Sequence, residues 1–267
     1  MLQRVIAPNG VVFYRSPLLH DIGVPHGFST RIGGVSQPPF DSLNLGNPNG
    51  CATQDDEANI SMNYERLHSV CGLAARRRCW VHQVHGDGLQ VVESAATFAN
   101  SQKADALVTS DPAAALAVRT ADCVPILLAT VDGQHVAVVH AGWRGVIAGA
   151  VAVAVRSLRD HGHSQAVVAA IGPCISADAF EVGHEVADEF RRAFGSQAPV
   201  TKPADGGKPH VDLREAVRLQ LLDLGLDQAH IDGSDRCTVR DRDEFFSHRR
   251  DDGVTGRMAA LIGTRAK

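Results

Sequence analysis

The sequence predicts an α/β or α+β protein built on a mixed β-sheet. Three observations carry that expectation. Short apolar runs bounded by Gly, Pro and Asp recur along the chain. Amphipathic helical stretches interrupt them, and the two do not alternate in a regular βαβ rhythm. No internal repeat, low-complexity tract or charged linker divides the chain, so residues 1–267 read as one domain.

VVFY (Val11 to Tyr14) and HGFST (His26 to Thr30) read as short strands, followed by a Gly/Pro/Asn loop over residues 31–50. A loop of that length inside a compact protein usually serves function. Ile60, Tyr64, Leu67 and Cys71 then share one helical stripe, with Thr53 and Asp56 near its start and Gly72 as its stop. The strand-like runs CWVHQV, LQVV, ALVT and LAVRT come next. VPILLAT and HVAVVH flank Asp132-Gly133, which signals a hairpin. An apolar helix follows from about Ile147 to Leu158, closing near Gly162. VVAAIG is a buried-type strand, and a helix over about 184–194 stops at Gly195. Asp212 and Glu215 form an N-terminal capping pair for a third helix with the stripe Leu213, Val217, Leu221 and Leu224, ended by Gly225. RMAALIG reads as a final strand.

With 26 Lys+Arg against 30 Asp+Glu, the net charge of −4 argues against coating nucleic acid or binding a membrane surface. No apolar run reaches the roughly 18 to 20 residues of a membrane helix, and the first residues lack an export signal. The expected compartment is therefore cytoplasmic, where thiols stay reduced. The six cysteines then divide among core filler, metal ligands and nucleophiles rather than disulfides. No amphipathic assembly helix stands out, and a monomer is expected.

If Asp132-Gly133 is a two-residue turn, paired residues in the hairpin sum to 265, so Cys123 faces Gly142 and Pro125 faces His140. Cys123 and His140 become diagonal neighbours on one face, roughly 7 Å apart at their α-carbons, close enough to share a metal ion. The same register places Pro125 at a hydrogen-bonded position, which disfavours pairing beyond it. A catalytic zinc takes three protein ligands and one open position. His82 and His85 are both available as the third; their odd spacing on a strand would send them to opposite faces, so one joins, and spacing does not say which. HAGWRG carries a second signal: the Gly142–Gly145 amides and Arg144 suit an anion or phosphate. Arg31 beside Gly33-Gly34 is a weaker form of it.

STRIGGVS, SLNLG, QVHG, ADALVT, TADCVP, HAGWRG, IGPCI, DRCT and FFSHRRD…TGRMA occur in this order. Together they resemble the YfiH-type laccase-domain family, described both as multicopper polyphenol oxidoreductases and as YfiH-like purine nucleoside phosphorylases. The resemblance implies an α/β sandwich flanked by helices, similar to the catalytic domain of a deamidating bacterial toxin. It implies His85, Cys123 and His140 as metal ligands, leaving His82 to packing or support. It also implies a zinc-dependent enzyme that phosphorolyses adenosine, inosine and methylthioadenosine and deaminates adenosine, with nucleoside and phosphate as partners. Copper-dependent phenol oxidation and editing of peptidoglycan precursors are the other activities attached to the family. The sequence departs from the family before Phe180, where Ala179 stands in place of a Cys.

Within that reading Asp122 is the expected general base or support for the cysteine ligand. Arg144 and the Gly142–Gly145 amides would hold phosphate, with Arg31 and Asn44 closing over it. Two other classes compete. In a thiol hydrolase, Cys123 is the nucleophile, His140 the base and the HAGWRG amides the oxyanion hole. In a non-enzymatic binding module the metal is structural and takes a fourth ligand, such as Cys174 or His248.

Overall fold

In the hairpin around Asp132-Gly133, Val124, Ile126 and Leu128 join one apolar layer while Leu127 and Ala129 join another. Both faces of the sheet are therefore covered, as the near-continuous apolar runs require. The structure is a computed structural model and describes residues 1–48, 50–162, 166–202 and 206–266. Asn49 of the long loop lies outside the described residues.

One six-stranded sheet has the order β1 (Gln3–Ile6), β2 (Val12–Arg15), β3 (His26–Ser29), β14 (Met258–Ile262), β7 (Ala114–Thr120), β4 (Arg77–Trp80). The other runs β13 (Ile231–Gly233), β10 (Val167–Ile171), β8 (Val124–Thr130), β9 (Val136–Ala141), β6 (Ala106–Thr109), β5 (Leu89–Val92). Neighbours are antiparallel except where β4 meets β7, β5 meets β6 and β13 meets β10, so both sheets are mixed. A small ribbon pairs β11 (Val200–Thr201) with β12 (His210–Val211).

The sheets face each other across a layer containing Phe28, Leu116, Val118 and Ile262 from the first and Leu107, Leu127, Val136 and Val138 from the second. Helix α2 (Glu57–Val70) packs Ile60, Tyr64 and Leu67 on the outer face of the first sheet. On the outer face of the second lie α3 (Trp143–Ala148), α4 (Ala150–Gly162), α5 (His184–Phe194) and α6 (Leu213–Asp223). A short α1 (Pro17–Asp21) lies between β2 and β3. The result is the expected sandwich of mixed sheets flanked by helices.

Most local expectations hold. Asp56 caps α2 by accepting from the Ala58 N–H, and Asp212 caps α6 by accepting from the Glu215 N–H. Glu215 does not complete the reciprocal half of a capping box, because it is paired with Arg218. Two expectations are corrected. The helix expected over 147–158 is two helices, broken where Gly149 takes a left-handed φ of 83°. Pro125 is opposite His140 as the register demanded, but the pair is not hydrogen-bonded. The His140 N–H donates to Asp105 on the other side, and the Pro125 carbonyl accepts from Gly172. Proline therefore costs this ladder no bond, and pairing continues to Val124 and Ala141.

Candidate metal centre and active site

The register sum of 265 is the one observed, and it places Cys123 and His140 on the face between the sheets, at the open end of the hairpin. His85 reaches them from the loop after β4. Its φ of 62° shows that the chain has left the strand, so face alternation no longer governs where it points. The Nδ1 or Nε2 atoms of the two histidines and the Cys123 sulfur all lie within 4.8 Å of one another. The His85 and His140 rings meet edge to face with centroids 4.9 Å apart. Cys174 and His248, considered as a fourth ligand, are not members of this group.

Asp105 fixes the geometry. Its Oδ1 accepts from His140 Nδ1 at 2.8 Å and from the His85 N–H at 3.0 Å, while Oδ2 accepts from the N–H groups of Val84 and Gly86. Donation from Nδ1 leaves His140 Nε2 for the shared site, where it can bind a metal once its proton is lost. Burial alone raises the Cys123 thiol, but His140 and His85 override it and bring the value down to about 6. Burial alone lowers His140, yet the Cys123 thiolate and Asp105 raise it to about 9. Gly142 leaves the space: a Cβ there would come within 3.0 Å of the Cys123 sulfur and of His85 Cδ2. One thiolate and two imidazoles around such a gap match the donor set of a catalytic zinc site.

The centre opens into a cavity of ≈ 470 Å³ whose wall includes Arg119, Arg144, Arg249 and Arg257. Asp122 and Arg144, both expected at the site, line it. The Asp122 carboxylate is already engaged, with Oδ1 accepting from the Thr238 hydroxyl and Oδ2 from the Arg249 N–H. Its φ of 90° turns it away from strand geometry, which is how it and Cys123 share one cavity despite being consecutive. His82 also lines the cavity but is not in the ligand group.

Two other expected residues, Arg31 and Asn44, do not line this cavity. Arg31 is bound to Asp41 through Nε and Nη2 and lies 4.6 Å over the Phe246 ring, so it latches the long loop. Asn44 is fully buried, donating to Asp55 and accepting from the Gly46 and Arg257 N–H groups. Both hold the long loop through these contacts. Conversely, sequence reasoning missed Asp105, Arg119 and Arg257 as individual residues. All three lie in or beside motifs already singled out, ADALVT, TADCVP and TGRMA, but their roles depend on strand pairings between distant segments.

Fold and site together define a two-sheet sandwich with a Cys/His₂ group able to hold a metal ion in an arginine-lined cavity. The family model described as multi-copper polyphenol oxidoreductase laccase matches residues 25–265. The chain belongs to this laccase-domain family. A purine nucleoside phosphorylase of Mycobacterium tuberculosis is 41% identical over 235 residues, 88% of this chain and 89% of the relative. Purine nucleoside phosphorylase YfiH of Escherichia coli is 40% identical over 240 residues, 90% and 93% of the two chains. The crystal structure of YlmD from Geobacillus stearothermophilus superposes with a TM-score of 0.85 at 34% identity, covering 99% of each chain.

Proposed function

We propose that this protein is a zinc-dependent purine nucleoside phosphorylase acting on adenosine, inosine and methylthioadenosine, with adenosine deamination as a second reaction. The observation that carries the reading is the pairing of three potential metal donors with four arginines in one cavity, against one carboxylate, that of Asp122, among the described lining residues. A cavity of ≈ 470 Å³ falls within the usual range for small-ligand sites, and its arginines suit an oxyanion co-substrate. The names carried by the relatives point the same way.

In phosphorolysis a phosphate oxygen bonds to ribose C1′ as the C1′–N9 bond breaks. The bonding pair leaves with the purine, and the proton of hydrogen phosphate ends on the base. Zinc at His85, Cys123 and His140 would supply a Lewis acid with one open position. Arginine forks hold and orient the phosphate, and Asp122 positions Arg249 and Thr238 rather than moving a proton. Zinc is redox-inert, and one three-ligand centre differs from the several copper centres of a laccase, so phenol oxidation ranks below this reading.

The zinc-loaded protein is expected to release adenine from adenosine only when phosphate is present, and inosine with or without it. Absence of turnover of all three nucleosides overturns the reading. The Asp105–His140–Cys123 alignment also favours a thiol-hydrolase reading. Full activity in chelator-treated protein, abolished by alkylating Cys123, would establish that alternative.

A further inference from the structure

The four cavity arginines are not equivalent. Arg249 donates from Nη1 to the Glu181 carbonyl at 3.0 Å and lies over the Phe180 ring. Arg144 is exposed and stacks on its neighbour Trp143, 4.2 Å from the ring centroid. Arg119 and Arg257 sit deeper in the sheet. In the β7–β14 ladder Arg119 is opposite Ala259, so Arg257, two residues earlier, is its diagonal neighbour on the same face.

Both are held in place from behind. The Arg119 backbone exchanges two hydrogen bonds with the Gln83 side chain, at 2.7 and 2.8 Å. Its guanidinium lies 5.3 Å from the Trp80 ring centroid and runs along Gly46, where a Cβ would come within 2.7 Å of its Cδ and Nη1. Arg257 is fixed by donation from Nη1 to the carbonyls of Thr255 and Gly256, each at 3.0 Å. Neither forms an ion pair with a carboxylate among the described residues. Burial and the charge of Arg119 push the Arg257 guanidinium below its ordinary value, opposed by Asp122 and Cys123. Two preorganised cations side by side are stabilised by a doubly charged tetrahedral oxyanion, which planar forks can grip through paired N–H···O bonds.

We propose that Arg119 and Arg257 form the phosphate-gripping pair of this cavity, with Gly46 and Trp80 setting the orientation of the Arg119 fork. The assignment rests on the phosphorolytic reading, and the experiment separates the two. In steady-state phosphorolysis by the zinc-loaded protein, R119Q and R257Q are each expected to raise the KM for phosphate by about 10- to 100-fold, the loss typical of a charge-assisted contact. The KM for nucleoside should stay within about 2-fold, a shift too small to signal a lost contact. Gly46→Ala keeps every charge but displaces the Arg119 fork, and should raise the phosphate KM in the same direction. R119K should recover part of the loss, because lysine keeps the charge but not the fork.

A phosphate KM unchanged in R119Q and R257Q, or raised only in R144Q, overturns the assignment. If the parent protein catalyses no phosphorolysis, the functional reading fails, and calorimetric titration with inorganic phosphate still decides the pair. Phosphate binding lost in R119Q and R257Q supports it, and binding retained in both refutes it.

Discussion

Asp105 accepts four hydrogen bonds, one from an imidazole and three from consecutive backbone N–H groups of residues 84–86. Asparagine in its place would turn one accepting oxygen into a donor facing donors. It would therefore release both the His140 ring and the loop that carries His85. Asp105→Asn is expected to weaken metal affinity by about 10- to 100-fold, the usual cost of losing the group that orients a ligating histidine. Metal content after dialysis against graded chelator measures this, and retention equal to the parent's would show that Asp105 does not hold the centre. Cys123 and His140 were legible in the sequence because one short hairpin relates them. Asp105 was not, since its place opposite His140 needs the β6–β9 pairing across a separation of 35 residues. Arg31 and Asn44, expected to close over phosphate, bond instead to Asp41, Asp55 and the Arg257 N–H in this structure, partners that local sequence pattern does not reveal.

At the scale of elements, the sequence rules worked where a turn or a cap fixes the geometry locally. The hairpin register survived although the loop is wider than a two-residue turn, with strands ending at Thr130 and resuming at Val136. The expected clash at Pro125 failed because the ladder's bonding pattern alternates, and register alone does not say which pairs are bonded. Apolar periodicity ran straight through Gly149, so the break between α3 and α4 was invisible to it. The break separates α4 from α3, whose first two residues, Trp143 and Arg144, line the cavity. With φ at 83°, Gly149 holds a conformation that costs an L-residue roughly 1 to 2 kcal/mol. Gly149→Ala should therefore destabilise the fold by about that amount, read as a lower urea midpoint at unchanged m-value. An unaltered midpoint would mean the left-handed turn carries no strain for alanine.

For the whole molecule, composition and periodicity conveyed the fold class and the flanking helices, but the pairing of distant strands into two facing sheets was not legible. β14 at the far end of the chain sits between β3 and β7, a long-range placement no local pattern encodes. That packing also buries histidines that the sequence treats as ordinary. His26 on β3 is 3% exposed; its Nδ1 donates to the Val24 carbonyl and its Nε2 accepts from the Ser16 N–H. Ser16 in turn donates to Asp232 on β13, so the neutral ring braces a link between the two sheets. Burial pushes His26 down to about 4, and His68 on α2 is likewise lowered to about 4 by burial. A folded value below the unfolded one means that the unfolded chain binds more protons between roughly pH 6.5 and pH 4. The stabilising contribution is therefore fully present above about 6.5 and is lost as pH falls toward 4. Between pH 7 and pH 5 each histidine should cost the fold roughly 2 kcal/mol. Urea unfolding at the two pH values tests this against His26→Gln, whose side-chain oxygen can still accept from the Ser16 N–H but does not titrate. The variant should lose roughly 2 kcal/mol less than the parent over that interval, and an identical pH slope would show that His26 is not held neutral by the packing of the sheets.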